Sequence, residues 1–219
     1  MFDTHQERLL RSLDETHAAF YQAETFGGPS LYFHLQALEA GRNADLQEFA
    51  KSVYALLAAW GMHRMGRGGS KMREFQDFRA SLESLWPSVL RLQQATPENL
   101  GEADWREMND IFCGIHCMAT GTSLVGNSKV MAHAIPNLVP PVDREYTLRF
   151  LFGNNNIVNH LGWEWDKLQM ILRDFFYPIL RAESFKLKAR DWQSRRDDFR
   201  WDTSPLKIAD NLVIGLLKS

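Results

Sequence analysis

One stretch of the chain places residues in an order that suggests chemistry. Leu124-Val125-Gly126-Asn127-Ser128-Lys129 sets a glycine, two hydrogen-bonding side chains and a cation in a row, and a lone carboxylate, Asp143, follows beyond a double proline. Backbone N–H groups exposed at a glycine bend can hold an anion such as a phosphate, with Lys129 adding charge. A carboxylate kept ionised at a helix start can stabilise positive charge that develops on a sugar. Two further groups invite chemistry. Cys113, His116 and Cys117 bring thiol, imidazole and thiol close together, and residues 66–70 (Gly-Arg-Gly-Gly-Ser) with Lys71 form a glycine-rich basic loop.

The central stretch needs specific local elements. Residues 124–129 read as a tight turn between two apolar helices, because Gly126 admits backbone conformations that a β-carbon penalises. Asn127 or Ser128 can cap the next helix, whose apolar face is Val130, Met131, Ala134 and Ile135 and which Pro136 stops. Asn137 to Val142, with Pro140 and Pro141, reads as a stiff extended connector. Asp143 then stands where an N-cap belongs, ahead of Tyr146, Leu148, Phe150 and Leu151.

The order of helix, glycine hairpin, helix, proline-rich connector and aspartate resembles the helix-hairpin-helix DNA glycosylases over residues 122–152. The family's hairpin has the form L-x-G-x-G-x-x-x-A, and Leu124, Gly126 and Ala132 match it. The resemblance implies that hairpin amides around Gly126, Asn127, Ser128 and Lys129 grip a DNA phosphate. It also implies that Asp143 supports cleavage of an N-glycosidic bond. Ser128 stands in place of the second glycine, and Val130 occupies the position read as that of the lyase lysine, so a Schiff-base step is not implied. The connector is shorter than the family's, and no iron–sulfur cysteine cluster is present. No cofactor is expected.

Composition pulls the other way on nucleic acid. The formal net charge is -2 and the pI is near 6.4, whereas a strongly basic domain would be expected of a general nucleic-acid binder. The best basic run, Lys188, Arg190, Arg195, Arg196 and Arg200, is diluted by Asp191, Asp197 and Asp198, and reads as a solvated helix face. The alternative is therefore a non-enzymatic helical module that binds a protein partner, with 14 Phe and 7 Trp available for the contact. A structural zinc needs four ligands, so Cys113 and Cys117, four apart on one helical face, read first as small buried residues, with His116 between them. His34, His63, His133 and His160 read as ordinary core or surface residues. The Glu-x-x-His signature of metal-binding bundles is absent, and a metal-dependent helical enzyme is the lesser alternative. No P-loop pattern surrounds residues 66–70, and a linker is the plainer reading.

The rest of the chain must supply the scaffold. Apolar residues at helical spacing recur throughout, no run alternates as a strand should, and the expected fold is all-α, one domain over residues 1–219. Residues 66–70 are the place where two lobes around a cleft could meet. Helices are expected from a Thr4–Glu7 capping box through Tyr21, from Ser30 to before Gly41, and from near Asn43 or Asp45 through Trp60. Others are expected from Met72 to Gln94 with a kink or split at Pro87, and from Ala103 to Met118. A helix from Trp163 should be interrupted at Pro178, and one at 206–217 should start behind Thr203-Ser204-Pro205. No apolar run reaches the length of a membrane span. The charged opening lacks a signal-peptide core, so the expected location is cytoplasmic.

Overall fold

Two helices at the centre of the protein are buried on nearly every side. One is α7 (Leu124–Ala134) and the other is α12 (Pro205–Leu216). The computed structural model describes residues 1–23, 28–63 and 71–218, so the 66–70 loop lies outside the described residues. Around α7 pack α3 (Pro29–Arg42), α4 (Leu46–Ala59), α6 (Glu102–Gly114) and α9 (Leu161–Ile171). Around α12 pack α1 (Asp3–Arg11), α2 (Leu13–Gln22), α10 (Tyr177–Arg181) and the π turn Arg144–Leu148 that leads into α8 (Arg149–Phe152). The remaining helices, α5 (Phe75–Leu92) and α11 (Glu183–Ser194), complete the outer layer. The fold is all-α and builds one large apolar core, with a second, small cluster of Phe20, Trp201 and Ile214 beside it. Among the described residues the only β pairing is an isolated bridge between Met72 and Met118, and no helix is long and apolar enough to cross a membrane.

Local signals set several boundaries as the sequence implies. Asp45 caps α4 by accepting from the Glu48 amide, and Ser204 caps α12 by accepting from the Lys207 amide, with Pro205 in the first turn. Gly28, at φ 64°, takes the left-handed conformation that lets α3 begin at Pro29. Other boundaries differ from expectation. The Thr4–Glu7 box is not used. The first helix begins at Asp3 because Phe2 is buried edge-on against Phe152 and Phe175, and burial of that ring fixes the start. The expected single helix breaks at Ser12 into α1 and α2, which allows α2 to lie along α12. Helix α5 runs through Pro87 unbroken. The proline leaves the Glu83 carbonyl unpaired, and both residues are on the exposed face, where water can serve that carbonyl. Pro178 is likewise accommodated, by a π turn at Leu172–Phe176 just before α10.

Candidate functional site

The expected turn at residues 124–129 is not formed. Leu124 to Ala134 is a single α-helix, and the Asn127 amide donates to the Ser123 carbonyl as an ordinary helical bond. Gly126 is there for close approach: a β-carbon would meet the Cys117 sulfur at 3.2 Å and Met118 Cγ at 3.2 Å. Asn127 donates to the Phe112 and Ile115 carbonyls at 2.8 and 3.1 Å, which satisfies the C-terminal end of α6. Ser128 accepts from the Val142 amide at 3.2 Å and so ties the connector to the helix. The helix N-terminus, where a phosphate was expected, already holds an anion from within the chain. Buried Glu164 accepts from the Leu124 amide. Burial raises the Glu164 carboxyl above its usual range, and the Leu124 and Ser123 amides oppose that shift.

Lys129 is the member of this group that reaches a cavity. Its Nζ donates to Asp143 Oδ2 at 3.0 Å and lies 5.0 Å from the centre of the Trp60 ring. Asp143 is the N-cap of Arg144–Leu148, as its position implied, with Oδ1 accepting from the Glu145 amide at 2.9 Å. Burial pushes its carboxyl up, but the Lys129 charge and the Glu145 and Tyr146 amides outweigh that and hold it below the usual carboxylate range. With 32% of its side chain exposed, Asp143 is an anion that a ligand can reach. The cavity in front of it measures about 380 Å³ and has aromatic walls from Phe20, Trp60, Tyr146 and Trp201.

Across the cavity stands a second amine–carboxylate pair that the sequence reading missed. Lys207 Nζ donates to Asp210 Oδ2 at 2.8 Å and to Asn211 Oδ1. Asn211 in turn donates to Asp202 Oδ1 at 2.8 Å, and Asp202 Oδ2 pairs with His17 Nε2 at 2.7 Å. The His17 ring stacks on Trp192 at 3.9 Å. Burial raises the Asp210 carboxyl above its usual range, with Lys207 acting against the shift. A signal for this pair existed: Lys207 and Asp210 stand three apart in a mostly apolar helix.

Behind Lys129 lies a chain of buried imidazoles. His133 Nδ1 pairs with the Lys129 carbonyl at 2.7 Å, His133 Nε2 with His34 Nδ1 at 2.8 Å, and His34 Nε2 with Thr203 Oγ1 at 3.0 Å. A carbonyl only accepts, so His133 Nδ1 carries its hydrogen and Nε2 accepts from His34 Nδ1–H. The Thr203 hydroxyl then donates to His34 Nε2. Both rings are neutral. Burial lowers His34 well below the ordinary histidine value, and burial lowers His133 to about 4.

The expectation that Cys113 and Cys117 share a helical face fails, because α6 ends at Gly114 and Ile115 is extended. Burial pushes the Cys117 thiol up to about 12, which keeps it a protonated core residue. Among the described residues no group of three or more His, Cys, Asp or Glu side chains is placed to hold a metal ion. The chain matches no protein-family model, no curated protein and no solved structure.

Proposed function

We propose that the aromatic cavity takes a nucleobase and that Asp143 supports cleavage of the N-glycosidic bond joining that base to its sugar, with a nucleotide swung out of DNA as the substrate. The observation that carries this reading is the ion pair of Lys129 and Asp143 on the wall of a cavity lined by four aromatic rings. Planar rings stack on a base without regard to its sequence, which suits a base removed from the helix stack. As the bond from base nitrogen to sugar carbon lengthens, positive charge grows on the sugar. An ionised carboxylate fixed in advance by an ammonium and two amides stabilises that charge with little reorganisation. Water then adds to the sugar carbon and its proton leaves to solvent or to the departing base.

This reading gives Gly126, Asn127 and Ser128 a different role from the one the resemblance implied. They position Lys129 and the connector rather than meet phosphate, since all three are buried and Asn127 Nδ2 and Ser128 Oγ are engaged within the fold. The Lys129 ammonium, 3.0 Å from Asp143, would become a second candidate nucleophile besides water only after handing a proton to that carboxylate.

The test is base release from duplex and single-stranded oligonucleotides carrying uracil, hypoxanthine or oxidised purines, read by alkaline strand cleavage at the abasic site. Asp143→Asn is expected to lower release at least a hundredfold, on the order of one lost electrostatic stabiliser, with oligonucleotide binding retained. No release from any oligonucleotide, or release unaffected by Asp143→Asn, refutes the reading. Borohydride present during turnover identifies the nucleophile: a covalent adduct absent from Lys129→Gln names the amine, and release without an adduct names water.

A second reading, a protein-docking module, has one observation in its favour. Val158, Leu161 and Trp163 are exposed together at the start of α9. Trp163→Ala leaving every assembly of the protein unchanged would remove that support.

A further inference from the structure

Resting on the cavity's reading as a base site, we propose that Lys207 is its specificity-determining residue: the ammonium donates to an exocyclic carbonyl oxygen of the bound base, so the cavity selects oxo-bearing bases over their amino-bearing counterparts. Three observations lead there. The first is how firmly the side chain is fixed. Its ammonium is held by Asp210 and Asn211, and the Asn211 amide is oriented by Asp202, which is itself held by His17. Because Asn211 Nδ2 donates to Asp202, its oxygen must face Lys207, and no alternative amide orientation serves both partners.

The second is the inventory of donors. A lysine ammonium has three hydrogens and accepts nothing. Two go to Asp210 and Asn211, and among the described residues no third acceptor is within hydrogen-bond distance. The residue lines the cavity, with its Nζ 5.6 Å from the Phe20 ring centre and 5.5 Å from that of Trp201. A ligand seated between those rings meets a donor without a partner.

The third is energetic. A buried ion pair adds little net stability compared with apolar residues of the same shape. Apart from this Lys207–Asp210–Asn211 cluster the buried residues of helix α12 are apolar, so Lys207 and Asp210 stand at positions where the core alone would favour Leu or Met. A carbonyl oxygen satisfies the third hydrogen, whereas an exocyclic amino group brings its own donors against it and leaves it unpaired.

The experiment is isothermal titration calorimetry of the full chain with free hypoxanthine against adenine, and uracil against cytosine. Each pair differs by oxo against amino at the same ring carbon. Wild type is expected to bind the oxo member roughly ten- to a hundredfold more tightly, the range expected of one charge-assisted hydrogen bond. The double variant Lys207→Met/Asp210→Asn avoids a buried unpaired carboxyl, and should bind both members of each pair with similar affinity. Equal binding by wild type, or a preference that survives in the double variant, overturns the proposal while Asp143-dependent base release would leave the glycosidic reading standing. A Lys207-dependent preference without base release upholds the proposal and removes the chemistry. Binding of none of the four bases overturns the proposal, while the glycosidic reading stands or falls on Asp143-dependent base release.

Discussion

The His34–His133 pair ties the stability of the cavity wall to pH, and the effect of its loss can be worked out. His133 has a pKa of about 4 in the folded chain against roughly 6.5 when unfolded. A base whose folded value is depressed contributes its stability in full above the unfolded value, and loses it as pH falls through the folded one. At pH 5 the unfolded chain has gained the proton and the folded chain has not, so His133 alone removes roughly 2 kcal/mol, rising to about 3 kcal/mol below pH 4. His34 acts in the same direction, since burial and its imidazole neighbour also lower its value. The geometry explains why neither ring accepts a proton easily: a second hydrogen would set two N–H groups against each other at 2.8 Å, or an N–H against the Thr203 donor. The perturbation is His133→Asn, whose amide nitrogen can take over donation to the Lys129 carbonyl but does not titrate. Urea unfolding followed by tryptophan fluorescence at pH 7.5 and pH 5 supplies the measurement. The variant should be weaker than wild type at pH 7.5, yet lose about 2 kcal/mol less between the two pH values. Equal losses in the two proteins would refute the reasoning.

Two structural predictions bear on the central helices. Gly215→Ala should destabilise by about 3 kcal/mol or more, because a β-carbon there would lie 1.9 Å from the Thr16 carbonyl oxygen. Alanine is the better helix former, so a melting temperature at or above that of wild type would count against the close α2–α12 packing. Asn127→Ala strips both carbonyls at the end of α6 of their donor, and should lower the unfolding free energy by roughly 2–4 kcal/mol with wild-type secondary structure by circular dichroism. A loss below about 0.5 kcal/mol would show that the side chain is not the clamp described.

Periodicity was sufficient for the architecture. The apolar spacing of α4, α5, α6 and α12 marks them as helices, and the Asp45 and Ser204 caps place two starts to within a residue. The site was harder to read. Gly126 in a run of small and polar residues looks like a bend, because local sequence does not record that its missing β-carbon makes room for Cys117 and Met118. Asn127 and Ser128 read as helix caps and Glu164 carries no signal, but each satisfies a backbone group made distant by sequence and near by folding. Asp143 was legible since an N-cap is a local feature. Its partner Lys129 was legible as a charge but not as a neighbour, and the opposite wall at Lys207 and Asp210 lies too far along the chain for any motif to join them.

The distribution of charge separates scaffold from site. The ion pairs Arg11–Glu7, Arg149–Glu145 and Arg195–Asp198 are largely exposed, and such pairs contribute little to stability. The pairs with buried members converge on one place: Lys129 with Asp143, Lys207 with Asp210, and His17 with Asp202 through Asn211. Breaking either lysine pair would leave an uncompensated charge in a low-dielectric setting, whereas replacing a whole pair by apolar residues would be close to neutral. A core selected only for packing has no reason to gather several such pairs around one cavity. Helices α7 and α12 thus bring Lys129 and Lys207, each with its carboxylate partner, to the lining of one cavity. Under the glycosidic reading proposed above, Asp143 would meet the developing cation and the third Lys207 hydrogen would meet the base that departs.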